Sequence, residues 1–279
     1  MENKTIITVA LTGAVTPKEL NPYLPLTPAE IAEDAFKCYK AGAAIAHIHM
    51  RDAKGFGTMD KELFKETAKL IKSKCDIVIN MTTSGDNKAT DETRMAHIKE
   101  LQPEMSSYDA GSFNWMPMGV FMNTPQFLEK LAQVDLDANT KPEIEVFDIG
   151  MIHVAEYYIK KGLIKTPAHF QFCLGILGGS MATLEILLHM KSLIPPGSTW
   201  SAFGISKGHI PILYATIALG GHVRVGLEDN VYYSKDVVGS NVQMVERAAR
   251  LIKEANRQPA TPDEARQILG LKGSKNTNF

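Results

Sequence analysis

Cysteine is scarce in this chain of 279 residues: Cys38, Cys75 and Cys173 stand far apart, with no Cys-x-x-Cys pair. That excludes a disulfide framework and a thiolate metal cluster. Free thiols in a reducing cytoplasm, packed as small apolar residues, are the expectation. Long hydrophobic runs are missing as well. None approaches the roughly 20 residues that a bilayer-spanning helix needs. Met1-Glu2-Asn3-Lys4 leads straight into a β-like run without the pattern of a secretory signal. Nor is there an excess of charge: 30 Lys and Arg against 31 Asp and Glu give a formal net charge of -1. Nothing electrostatic therefore points to nucleic acid or to an anionic membrane surface. Low-complexity segments are absent. What is present is an ordinary globular composition, 44% apolar and 22% charged, long enough for one large domain.

The chain alternates β-like runs with helical stretches. Thr5 to Leu11 is β-rich and closes on Thr12-Gly13-Ala14. Thr27-Pro28-Ala29-Glu30 combines an N-cap, a proline at the first helical position and a glutamate at the third, the signature of a helix start. Ile31, Ala35, Phe36 and Tyr39 make its apolar stripe, and Gly42 suits its C-terminal turn. Further β-like runs are expected over 44–50, 76–81, 104–108, 143–149, 169–175, 199–205 and 221–227. Helices are expected over 89–101, 151–161, from Gly178-Gly179 to about Leu193, and over 210–219.

Eight such units, with runs apolar enough to be buried on both faces, predict a parallel sheet. Polar residues gather at the C-terminal end of nearly every run. A closed (β/α)8 (TIM) barrel brings those ends to one rim, whereas a doubly wound open sheet spreads them along an edge. The reading is an α/β fold: one (β/α)8 barrel domain over 1–279 with an additional C-terminal helical extension at about 236–270. Within it, a long amphipathic helix spans Asp236 to Asn256, and Thr261-Pro262-Asp263-Glu264 caps a short last helix. Gly270 to Phe279 reads as a frayed end.

The chemistry gathers at the strand ends. In Ala44-Ile45-Ala46-His47-Ile48-His49-Met50-Arg51-Asp52 the two histidines are one residue apart, so on a strand both point to the same side, with Arg51 next in line. Two imidazoles so placed can converge on one metal ion; two hydrogen-bonded histidines at a strand terminus are the alternative. In Gly226-Leu227-Glu228-Asp229-Asn230, beyond the eighth run, Glu228 can supply the carboxylate of a two-histidine, one-carboxylate site with open positions. Arg224 lies inside the eighth run, where an unpaired charge is costly, and Asp229 is its natural partner. Such a pair binds an anion or moves a proton, and pairing is expected to favour ionised Asp229. Ser84 and Gly85 follow the third run in a turn able to hold carboxylate oxygens. Ser106 and Ser107 end the fourth run, and Glu143 and Glu145 share one face of the fifth.

Taken together these segments resemble the β-keto acid cleavage enzymes. The resemblance rests on His47-Ile48-His49-Met50-Arg51-Asp52, Thr82-Thr83-Ser84-Gly85, Pro103-Glu104-Met105 with Ala110-Gly111-Ser112-Phe113-Asn114, Pro142-Glu143-Ile144-Glu145, Gly178-Gly179 and Gly220 to Asn230, and runs from about Thr5 to Leu269. It implies a zinc-containing barrel, homo-oligomeric and most often tetrameric. It also implies conversion of a β-keto acid and acetyl-coenzyme A to acetoacetate and a new acyl-coenzyme A. On that resemblance His47, His49 and Glu228 match the metal ligands, with another divalent metal as an alternative to zinc. Arg224 and Asp229 match the proton-abstracting pair, and Ser84, Ser107 and Glu143 match substrate-site positions. One position departs from the pattern: where members acting on an amino-bearing substrate carry glutamate, this chain has Val15. A valine cannot pair with an ammonium, so a substrate uncharged at that end, or one held by another group, is expected.

Two other readings compete. A Schiff-base aldolase on the same barrel would use Lys207, just after the seventh run, as nucleophile. A non-catalytic barrel would bind a keto acid or acyl-coenzyme A as a sensor.

Overall fold

Eight parallel strands close into a barrel in the computed structural model, which describes residues 3–86 and 88–279. In chain order they are β1 (Ile7–Ala10), β2 (Ile45–Ile48), β3 (Val78–Met81), β4 (Met105–Asp109), β5 (Lys141–Val146), β6 (His169–Leu174), β7 (Thr199–Gly204) and β8 (His222–Val225), with β8 pairing back onto β1. The open sheet is thereby excluded. Helices α1 (Pro28–Ala41), α2 (Lys61–Lys74), α3 (Asp91–Leu101), α4 (Pro125–Asp137), α5 (Ile149–Lys160), α6 (Leu184–Leu193), α7 (His209–Ala218) and α8 (Asn241–Glu254) each follow the strand of the same number. None of the described helices is long and apolar enough to cross a membrane.

Local chemistry fixes these elements. In α1 the Thr27 hydroxyl accepts from Glu30 N–H while Glu30 accepts from Thr27 N–H, and Gly42 ends the helix at φ +112°. The same reciprocal box opens α8 at Ser240/Gln243 and α9 (Pro262–Leu269) at Thr261/Glu264. Each such cap contributes about 1 kcal/mol. The pleat then sorts side chains between two cores. On β5, Ile144 and Val146 join the apolar layer under the helices, whereas Glu143 and Glu145 are buried on the other face.

The N-terminal end of the barrel is closed by apolar packing. Ile6, Ala44, Ile45, Val78 and Met105 meet Ala260, Ala265 and Leu269 around α9. Arg266 from α9 pairs with Asp76 and Glu104 at that end.

Three expectations shift, and one element is new. The long tail helix begins at Asn241, not Asp236, because Tyr232–Ser234 and Val237–Val238 form a hairpin first. The helix expected from Gly178-Gly179 begins at Leu184 behind an N-cap at Thr183. Both glycines lie in a turn so close to Asn114 and Phe147 that a side chain there would collide with their carbonyl oxygens. Gly270 to Phe279 is not frayed: Asn278 N–H donates to Leu101 O (2.8 Å), and Lys72 Nζ donates to Ser274 O (2.8 Å) and Phe279 O (3.1 Å). Finally, the loop after β4 carries a hairpin, Phe113–Trp115 with Gly119–Phe121, that the sequence pattern did not announce.

Candidate active site

β2 and β8 flank β1 in the barrel, so the ends of β2 and β8 face each other across a single strand. His47 lies on β2 and His49 just beyond it, with ring centroids 5.1 Å apart. Their Nε2 atoms lie 3.5 and 3.3 Å from the same oxygen, Glu228 Oε1. One donor atom from each residue falls within 4.8 Å of the others. His47 Nδ1, His49 Nδ1 and Glu228 Oε2 are buried without hydrogen-bond partners. A two-nitrogen, one-oxygen set of this kind, with donors left unspent, fits a divalent ion such as zinc. Burial holds the His47 pKa well below its ordinary value, so the ring is neutral, the form that binds metal. For Glu228, burial opposes ionisation, but the surrounding positive charge, Arg224 at 2.7 Å included, outweighs it and holds the carboxyl well below the usual range.

Arg224 organises the acids around it. Its Nε and Nη2 donate to Asp229 Oδ2 and Oδ1 (2.9 and 3.0 Å), a bidentate pair. Nη2 also donates to Glu228 Oε1 (2.7 Å), and Nη1 to Glu145 Oε1 (3.0 Å). The Phe203 ring lies 4.7 Å from the guanidinium carbon. Pairing with Arg224 favours the ionised form of Asp229, as expected, but burial outweighs it and raises the pKa to about 6. The carboxylate still prevails at neutral pH, yet it takes up a proton more readily than a free aspartate does.

These groups form one end of a cavity of about 630 Å³ at the C-terminal rim. Ser84 and Gly85 line it near His49, and Val15, 49% exposed, lies on its edge. Ser107 and Glu143 do not line it. Ser107 lies beneath the turn, its Oγ accepting from Thr83 N–H (3.0 Å) and its carbonyl from the Thr83 hydroxyl (3.0 Å). Glu143 sits below the floor, accepting from Asn80 Nδ2 (2.7 Å), with burial pushing its pKa up to about 7. Of the two β5 acids, Glu145 is the one at the wall. Lys207 is exposed on the turn Ser206–Gly208, away from the cavity lining, so the Schiff-base reading loses its nucleophile.

Sequence reasoning missed Asp109, which lines the cavity with Oδ2 buried and unpartnered. Period-two alternation from Ser107 along β4 would have found it. It also missed the opposite wall: Phe113, Trp115 and Phe121 from the β4 hairpin with Phe147 beyond β5, the Phe113 and Phe147 rings stacked at 4.9 Å.

Comparisons with known proteins identify the relatives of this chain. The chain is 44% identical over 274 residues to a 3-keto-5-aminohexanoate cleavage enzyme of Fusobacterium nucleatum, covering 98% of this chain and 100% of the relative. It is 34% identical over 294 residues to a 3-dehydrocarnitine:acetyl-CoA trimethylamine transferase of Rhizobium meliloti, covering 97% and 98%. A solved ternary complex of ObcA with a C4-CoA adduct and oxalate shares the fold at TM-score 0.77 and 20% identity, over 90% of this chain and 68% of that one. The family model for beta-keto acid cleavage enzymes matches residues 4–271, and the chain belongs to that family.

Proposed function

We propose that this chain converts a β-keto acid and acetyl-coenzyme A into acetoacetate and a new acyl-coenzyme A, with a divalent ion, zinc before others, held by His47, His49 and Glu228. The observation that carries this reading is the convergence of those three side chains beside the Arg224–Asp229 pair in one cavity. When bound, the ion supplies Lewis acidity to the keto acid.

The rest falls to the chain's own groups. Asp229, paired with Arg224 and with a pKa of about 6, takes the proton of the activated CH2 and later returns it. The carbanion attacks the thioester carbonyl and coenzyme A leaves as thiolate. The thiolate then attacks the original keto carbonyl, the carbon–carbon bond breaks, and acetoacetate departs as the acyl group passes to coenzyme A. Ser84 and the Gly85 backbone orient the substrate carboxylate. Glu143 and Ser107 support this floor from below, through Asn80 and the Thr83 turn. Val15 in place of an acid favours a substrate uncharged at that end.

Exposed Met116, Met118, Leu177, Met181, Leu184 and Leu188 support a homo-oligomer, with a tetramer favoured, because monomers seldom leave so many large apolar side chains in water. Three unbridged cysteines support the cytoplasm. The test of the activity is a mass-spectrometric screen of β-keto acids with acetyl-coenzyme A. Acetoacetate with the matching acyl-coenzyme A is the expected result, and ligand binding without product would favour a sensor instead.

A further inference from the structure

We infer that Arg51 is a positioning residue for the metal ligands: it holds the loop after β1 against Glu228 and, through Gly57 and Gly85, behind His49. The inference rests on the metal reading above and adds a residue that hydrogen-bonds to none of the three ligands. Arg51 is 5% exposed on the short strand Met50–Arg51 that follows β2. A buried guanidinium is usually paired with a carboxylate. Among the described residues none lies within ion-pair distance of Arg51, and every bond goes to main-chain oxygen. Nε donates to Gly13 O (2.6 Å), Nη2 to Thr12 O (3.1 Å) and Thr16 O (2.9 Å), and Nη1 to Gly55 O (2.8 Å). The planar fork of donors fixes those four carbonyls relative to one another, and three of them belong to the loop after β1.

That loop backs onto one ligand directly and reaches a second through two glycines. Gly13, at φ +61°, backs directly onto a ligand: a Cβ there would lie 2.7 Å from Glu228 Cγ and 3.2 Å from its Cβ. Ala14, the next residue, abuts Gly57, where an added Cβ would collide with Gly85 O. Gly85 in turn faces His49 Nδ1, which would lie 3.5 Å from a Cβ at Gly85. One guanidinium thus sets the loop that leans on the carboxylate ligand and, through two glycines, on an imidazole ligand. Arg266, by contrast, joins carboxylates at the far end of the barrel and serves only the fold.

The experiment titrates the metal-stripped protein with Zn²⁺ against a chromophoric chelator and follows melting of the same samples by circular dichroism. Arg51→Lys keeps the charge but loses the fork, and its Zn²⁺ Kd is expected to weaken by about 10–100-fold, as for other groups that orient ligands. Gly13→Ala, with Arg51 intact, pushes on Glu228 and should weaken Zn²⁺ binding likewise; it carries the test if Arg51→Lys does not fold. Arg266→Lys should lower the melting temperature and leave the Kd alone. An unchanged Kd in Gly13→Ala or in folded Arg51→Lys, with only the melting temperature lowered, overturns the inference. Wild-type protein that binds no Zn²⁺ overturns the metal reading along with it, so the two failures are told apart in one titration.

Discussion

The two sides of the cavity mouth are built on different principles. The side formed by β8, β1, β2 and β3 is polar: His47, His49, Glu228, Asp229, Arg224 and Ser84 meet there, each on a strand end or one turn beyond it. The side formed by β4 to β7 carries Asp109 and Glu145 at its base but is otherwise apolar, with Phe113, Trp115 and Phe121 on a hairpin and Phe147, Ile176 and Ile205 beyond the strands. Rigid strand ends hold groups whose distances decide the chemistry, while loops shape the space around them. The polar side should therefore govern turnover, and the aromatic side binding.

The largest effect expected from this contrast is on the base. Asp229→Asn leaves the three ligands in place, so kcat should fall by about 10²–10⁴-fold while bound zinc, measured by atomic absorption, stays at the wild-type level. Full activity in this variant would remove Asp229 from the mechanism. Trp115→Ala probes the other wall: loss of a large, half-buried apolar surface that lines the cavity should raise a substrate KM by on the order of tenfold with little change in kcat or in zinc content. A collapse of kcat instead would mean that the two sides do not divide the work.

The smallest effect, outside both sides, is on stability at Asp135. Its carboxyl is 1% exposed, accepts from the Ser106 hydroxyl (2.7 Å) and is pushed by burial from 3.8 up to about 8. The folded chain thus keeps a proton that the unfolded chain gives up above its ordinary pKa. The stability this contributes is full at low pH and is lost as the pH rises through about 8. Asp135→Asn should therefore melt higher than wild type at alkaline pH, with the gap closing on acidification. A gap that does not depend on pH would show that Asp135 is already ionised in the folded chain.

The polar side was readable before any coordinates because charge inside a β-run is costly and must have a partner. Arg224 named Asp229 on that ground alone, and His47 with His49 followed from the two-residue pleat. The same pleat, followed two residues past Ser107 on β4, would have reached Asp109 as well. For Glu143 and Glu145 the pattern gave the face but not the depth, since depth depends on how far each strand rises in the closed barrel. The aromatic wall was beyond reach for another reason. Phe113, Trp115 and Phe121 look in sequence like any core residues, and only the chain reversal between them turns them toward the cavity. Arg51 had an orientation in the sequence but no partners, because its acceptors are main-chain carbonyls, which leave no mark on residue type.

The central claim, metal-dependent cleavage of a β-keto acid at His47, His49 and Glu228, is tested most directly by turnover before and after metal removal. Enzyme stripped by chelator and washed should form no acetoacetate from a β-keto acid and acetyl-coenzyme A, and added Zn²⁺ should restore product together with the matching acyl-coenzyme A. Undiminished product from the stripped, metal-free enzyme would contradict it.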